Sequence, residues 1–489
     1  MEIRKTFSLN LIFLLALNIL VKPVYLFGIE VGVQNAVGAS EYGLYYAMLN
    51  FTFLFNVLLD LGINNYQKVM MAQDEEHAVG NLSSMLSLKV ILAMVYVVAT
   101  VILGLVMGYE GRYWFFIGWL MLNHVLSIFL LYLRANLSGL HLFFRDSLIS
   151  IVDRSLMVLG IGYILWFGNT AFQIEFLVIG QTLAYIVAIL LALLATPAGK
   201  RFTGFSFDMA SLKTVAYKTW PFGLLILLMT IYHKVDGIML EQLATDGLVQ
   251  AGVYAQAYRI LDAGNSFAFL YAGLLLPMFS RLIFHQQNKD LAELVTTASR
   301  FLIVPAGVVF IIVFFQANYL MDMLYDMHAD DSSLILKWLM GSFVFIAVGY
   351  VFGTLITASQ NMKLLNTLAC VTALTNVGLN WVLIPEYGGV GAAIASFISL
   401  GVMALGQIVF SHVHFKLPML TWLWRAVLLW ALVIGVEFVL VQSGLGSVLQ
   451  LLIAVGVSIL GFLAFVMDWN ALRKMFDDKS DTAPSSHQA

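Results

Sequence analysis

The sequence predicts an all-α polytopic membrane protein. It should have about fourteen transmembrane helices, arranged as two pseudo-symmetric six-helix lobes around a central cavity, with two more helices after them. Three observations lead there. Of 489 residues, 61% are hydrophobic and 11% are charged, against roughly 25% charged in a soluble domain; mean hydropathy is +0.90. Apolar runs of about 20 residues, enough to cross a bilayer, recur along the whole chain. Lysine and arginine then fall on alternate sides of those runs.

Composition also excludes several classes. A single cysteine, Cys370, allows neither an intrachain disulfide nor a Cys-rich metal site. A formal charge of −3 gives no basic footprint for nucleic acid. The runs are too long, and too poor in polar alternation, for an outer-membrane barrel.

The elements follow in order. Residues 1–30 have a basic start (Arg4, Lys5) and an apolar stretch that continues past Lys22-Pro23 without a small-residue cleavage site. They read as a first retained span, 9–29, and not as a signal peptide; Pro23 should kink it. Apolar runs then place spans at 43–66, 83–107, 113–133, 148–168 and 173–195. After a polar gap come 219–241, 251–277, 298–320, 333–358, 364–384, 389–411, 422–441 and 447–468. The expected organisation is a first lobe over 1–198, a connection over 199–218, a second lobe over 219–415, two additional helices over 416–469 and a disordered tail over 470–489.

The positive-inside rule tests this map. With the N-terminus cytoplasmic, eighteen of the 25 Lys and Arg lie in cytoplasmic segments, and the opposite loops hold Arg112 alone. Lys89, Arg154 and Lys337 sit near span ends, where snorkelling is the expectation. Lys22, Lys234 and Arg259 remain.

An internal repeat supports the two lobes. Glu41–Ala47, reading EYGLYYA, aligns with Gln250–Gln256, reading QAGVYAQ, so that Gly43 matches Gly252 and Tyr45 matches Tyr254, each pair 209 residues apart. An offset of six spans is even, so both copies cross in the same direction. Such repeats are related by an axis along the membrane normal and leave a cavity between two halves.

Intramembrane charge costs about 2.5–3.5 kcal/mol on insertion scales. Lys22 lies roughly 20 Å along span 1, Lys234 roughly 22 Å along span 7, and Arg259 roughly 12 Å down span 8 from the outside. All three therefore reach a similar depth and are candidate cavity cations for an anionic group such as a diphosphate, which Arg contacts bidentately and Lys as a point charge. The structural reading stands beside it: Arg259 and Asp262, three apart on one face, would simply pair. Lys234 and Asp236, two apart, point away from each other. Asn50, Asn56 and Asp60 fit either a shared cavity stripe or interhelical hydrogen bonding. His124 reads as a hydrogen-bonded core residue. Asp74–His77 and the acidic loop holding Asp322, Asp326, Asp330 and Asp331 read as solvated charge. Glu437, in span 13, reads as a lipid or partner contact.

No phosphate-binding glycine loop, His-rich metal motif or loop large enough for a nucleotide domain appears in the sequence, so a transporter is expected and an enzyme is not. Asn376-Val-Gly-Leu-Asn380, then Ile384-Pro385, Tyr387-Gly388-Gly389 and Gly391-Ala-Ala-Ile-Ala395 resemble a motif of the multidrug/oligosaccharidyl-lipid/polysaccharide flippase (MOP) superfamily. Tyr232-His-Lys-Val-Asp236, followed by Gly252-Val-Tyr-Ala-Gln-Ala-Tyr-Arg259, resembles its polysaccharide branch. Physically, Pro385 should stop the helix and the glycines allow a tight turn. The resemblance implies an alternating-access carrier for a polyprenyl-diphosphate-linked oligosaccharide in a bacterial inner membrane, with both termini cytoplasmic. Its partners would be that lipid, bulk membrane lipids and a polysaccharide polymerase or glycosyltransferases. Combined with the charge reading above, it leads us to expect Lys22, Lys234 and Arg259 as substrate contacts, and Asp236, Asp262 and Asp60 as charge-tuning groups or carriers of a coupling ion, H+ or Na+, with no other cofactor. Span 1 has no acid before Glu30, and the expected span count exceeds the twelve usual for drug antiporters. Both features rank a multidrug exporter second. A lipid II flippase, with a fuller basic set, ranks third, and a non-transporting scaffold last.

Overall fold

A computed structural model of the protein describes residues 20–60, 63–64, 82–140, 142–168, 171–197, 209–417 and 420–467, without the side chains of 83–84, 209–222, 270 and 420–422. Most of span 1, Lys68, the Asp74–His77 run, the connection at 199–208 and the tail 470–489 lie outside the described residues, as do eight of the eighteen basic groups that orient the chain.

All regular elements among the described residues are helical. A π-helical turn, Val24–Glu30, leads into α1 (Val31–Phe53); α2 (Leu82–Val106), α3 (Arg112–Gly139), α4 (Phe143–Phe167) and α5 (Ile174–Ala195) follow. Then come α6 (Met209–Leu243), α7 (Gly247–Phe284), α8 (Asn288–Leu324) and α9 (Ala329–Val348), a second π turn (Gly349–Gly353) and a short α10 (Thr354–Ala358). The chain closes with α11 (Met362–Phe415), α12 (Leu420–Gln442) and α13 (Ser447–Gly461). Among the described residues, eleven helices are long and apolar enough to cross a membrane.

Two of these helices are broken by glycine. At 54 residues α11 is far longer than one crossing requires, and it folds back at Gly388, whose φ of 53° and ψ of −131° only glycine adopts without strain. The runs expected at 364–384 and 389–411 are its two limbs. Pro385 does not end the first limb, as the sequence suggested; helical geometry persists past it to Gly388. Proline removes one hydrogen bond, but the reversal itself needs a positive φ. At the other end of the molecule's sequence, α1 breaks similarly at Gly38 (φ 81°). Pro23 directly precedes the π turn of span 1, so the expected distortion there is a widened turn.

Span 2 is shorter than its apolar run. The α-helix ends at Phe53 and tightens into a 3-10 turn over Asn56–Leu59. Asn50, Asn56 and Asp60 consequently do not form one helical stripe.

The helices pack as two bundles. In the N-terminal bundle α3 and α4 pack on α5, while α1 packs on α3 and the first π turn on α4. In the C-terminal bundle α11 packs on α6 and α9, and α9 packs on α7 and α8. The additional helices α12 and α13 pack on α8. The bundles meet chiefly where α1 crosses α7, with α6 alongside. That crossing is built by the repeat. A Cβ placed on Gly43 would overlap the Leu248 carbonyl oxygen, and one on Gly252 would overlap the Ala39 carbonyl oxygen. Ala39 and Leu248 are themselves repeat equivalents, so the contact is reciprocal. Backbones this close demand residues without side chains. Gln34 adds a cross-bundle bond from Nε2 to the Gly252 carbonyl at 2.7 Å.

Candidate functional site

Below the α1–α7 crossing the bundles part around a cavity of about 510 Å³. Its lining includes Lys22, Arg154, Lys234 and Arg259, with Glu30 and Asp262 as the only carboxylates among the described residues. The three cations singled out from sequence are thus brought together, and a fourth joins them.

Each side chain is positioned by a local feature. Glu30 sits on the last residue of the π turn, buried, and accepts hydrogen bonds from Tyr25 (2.7 Å) and Tyr42 (2.5 Å). Arg259, from α7 of the opposite bundle, pairs with Glu30 at 2.8 Å and donates to the Tyr42 hydroxyl. Arg259 therefore pairs across the bundles, and not with Asp262 one turn along its own helix. A helical i,i+3 pair is worth only a few tenths of a kcal/mol; the Glu30 carboxylate is held by two tyrosines and meets the guanidinium in a buried setting. The Arg259 Nε still has no hydrogen-bond partner among the described residues.

Lys234 lies between rings from both bundles, 4.9 Å from the Tyr258 centroid and 5.8 Å from that of Phe53. These contacts hold the ammonium without neutralising it. Arg154 stacks over the Tyr25 ring at 4.6 Å, and its nearest carboxylate, Asp153, is 3.5 Å away. Lys22 is exposed and Asp262 half-buried at the cavity wall. Four cations against two lining carboxylates leave an excess of positive charge in a partly desolvated space, where attraction for an anion is stronger than in water. His124 also lines the cavity, 3.2 Å from the Thr52 hydroxyl.

Four other charged groups sit outside the cavity. Asp236 does not reach the cavity. It is buried inside the C-terminal bundle and accepts from Tyr254 (2.7 Å), Asn380 (2.7 Å), Ser396 (2.5 Å) and Asn376 (3.2 Å). Its position two residues after Lys234 turns it to the opposite side of α6. Asp60 lies outside the cavity because the helix has unwound by then; it pairs with Lys89 at 2.8 Å. Lys89 is accordingly 6% exposed, a buried partner and not a snorkelling end. Glu437 does not face lipid; it is buried and accepts from Gln316 of α8 at 3.0 Å, tying α12 to the C-terminal bundle.

Sequence reasoning missed Arg154, which it set aside as snorkelling. The helix begins earlier than its apolar run: Arg154 is eleven residues into α4, roughly 16 Å along the axis, but only six residues into the run expected at 148–168. It missed the role of Glu30 because no local spacing links it to Arg259. Asn376 and Asn380 were read as a family motif; their job here is to hold Asp236.

Comparison with known proteins follows this geometry. The family model described as "Polysaccharide biosynthesis protein" matches residues 9–283. Among solved structures, the lipid II flippase MurJ in an inward closed conformation superposes with a TM-score of 0.71 at 16% identity, covering 93% of this chain and 98% of that one. An inward-facing multidrug resistance MATE family transporter of the MOP superfamily gives 0.64 at 16% identity, covering 80% and 94%. A MOP superfamily transporter from Pyrococcus furiosus gives 0.54 at 16% identity, covering 84% and 95%. At such identities the likeness concerns the fold. No curated protein matches the chain by sequence.

Proposed function

This chain belongs to the polysaccharide biosynthesis protein family, and from that premise we propose that it is a flippase for a polyprenyl-diphosphate-linked oligosaccharide. It would work by alternating access in a bacterial cytoplasmic membrane, with both termini cytoplasmic. The observation that carries this reading is the cation excess of Lys22, Arg154, Lys234 and Arg259 in one cavity shared by the two bundles. A diphosphate linker is the anionic part of such a lipid, and two guanidiniums and two ammoniums suit it. The tail stays in the bilayer while the head crosses between the bundles. A cationic drug would call for a cavity of the opposite sign.

The bundles rock about the Gly43–Gly252 crossing, which is tight enough to act as a pivot and free of side chains that would interlock. Phosphate arriving at Arg259 competes with Glu30, so binding loosens the tie between the π turn and α7. Asp236 carries the coupling charge. No ion pair reaches this carboxylate among the described residues, and its four partners are neutral donors, so an H+ or Na+ taken up there would be neutralised locally.

The test is the leaflet distribution of lipid-linked oligosaccharide in cells depleted of the protein and complemented at matched expression. The lipid should accumulate on the cytoplasmic leaflet, and neither Arg154→Ala nor Arg259→Ala should restore it. An unchanged distribution on depletion overturns the reading.

A further inference from the structure

A second cavity, of about 410 Å³, lies within the C-terminal bundle, in the size range of small-molecule sites. It is formed by α6, α7, α9, the Gly349–Gly353 π turn, α10 and both limbs of α11. Among the described residues its lining contains no Lys, Arg, Asp or Glu. Aliphatic side chains such as Leu225, Leu400 and Met403 make up much of it, with the rings of Phe269, Phe345 and Tyr350, the Thr354 hydroxyl and the amide of Gln407.

Gln407 stands out in this lining. It is 3% exposed, and its Oε1 has no hydrogen-bond partner among the described residues. The amide lies over the π turn, where Gly349 and Gly353 bring only backbone toward it. Leaving a buried amide unpaired costs about 1–3 kcal/mol, so a residue kept there in that state points to a ligand that completes it.

We infer that this cavity is a saccharide subsite, holding sugar rings of the lipid-linked oligosaccharide while the cationic cavity holds its diphosphate; the inference rests on the reading above. Adjacent residues serve the two cavities. Lys234 lines the first and His233 the second, Phe267 the first and Phe269 the second, so α6 and α7 border both cavities, one on each side. Sugar rings present C–H groups to aromatic faces, whose negative potential attracts them, and hydroxyl or N-acetyl groups that can both donate to and accept from Gln407. A hydrocarbon tail would leave that amide unpaired, and it has the lipid-facing surface of the helices available at no such cost.

The test compares two probes on the full-length protein in lipid nanodiscs: polyprenyl diphosphate alone, and the same lipid carrying an N-acetylglucosamine disaccharide. Wild type should bind the glycosylated lipid more tightly. Gln407→Leu should weaken that binding about tenfold, the worth of one or two buried hydrogen bonds, and leave the sugar-free lipid unchanged. Phe269→Ala should act in the same direction, whereas Arg154→Ala should weaken both probes. Equal effects of Gln407→Leu on the two lipids, or none on either, overturn the saccharide subsite. Failure of wild type to bind sugar-free polyprenyl diphosphate would instead overturn the flippase reading.

Discussion

The two bundles contribute alike to the shared cavity, two cations and one carboxylate each, and differ in an acid that only the C-terminal one seals away from it. The N-terminal bundle turns Lys22 and Arg154 into the shared cavity and compensates them only in part. The C-terminal bundle sends Lys234, Arg259 and Asp262 to that cavity but seals a further acid, Asp236, among Tyr254, Asn376, Asn380 and Ser396. Positions related by the repeat show the divergence. Gly43 and Gly252 do the same job at the crossing, whereas two turns further on Asn50 occupies the place that Arg259 has in the second copy. Backbone packing tolerates no change at the contact; side chains facing a cavity are free to differ. The crossing thus holds both glycines alike, while the cavity wall carries different side chains at matching positions.

Breaking the part that the bundles share should have the largest effect. Gly43→Leu and Gly252→Leu each drive a side chain into a facing carbonyl. Overpacking of that kind costs about 1–3 kcal/mol, and here it also separates the bundles. Both variants should abolish transport and lower the melting temperature in detergent; a variant with wild-type melting and transport would show that the crossing is loose.

The sealed acid comes next. Asp236→Asn keeps the volume but removes the charge, so substrate binding should persist while ion-driven transport falls by about tenfold or more, as expected for loss of about 1.4 kcal/mol of coupling. Flux with and without an imposed ion gradient separates the two. Asp236→Leu should also lower stability, since four donors would lose their acceptor.

The cavity cations should be milder one at a time. Arg154→Lys retains charge but not the planar fork, and a several-fold rise in apparent Kd for polyprenyl diphosphate is expected, with Arg154→Ala worse. Raising ionic strength should weaken wild type more than Arg154→Ala, because a charge contact has already gone. The smallest effect belongs to Glu437→Gln, which preserves the bond geometry to Gln316 outside both cavities. Transport should be unchanged and stability altered by less than about 1 kcal/mol; a clear transport defect would extend the functional asymmetry to α12.

Sequence alone determined what depends on composition and local period. Apolar runs of bilayer length made the chain an all-helical membrane protein, and the repeat pointed to Gly43 and Gly252. Depth arithmetic brought Lys22, Lys234 and Arg259 to one level, because rise per residue converts position into distance along an axis. Tertiary structure alone decided who faces whom. Rotation about each helix axis is set by packing against other helices. Hence Glu30 takes Arg259 from Asp262, Lys89 takes Asp60, Arg154 enters the cavity and Asp236 leaves it. Those pairs join residues up to 229 positions apart, a relation that no local spacing encodes.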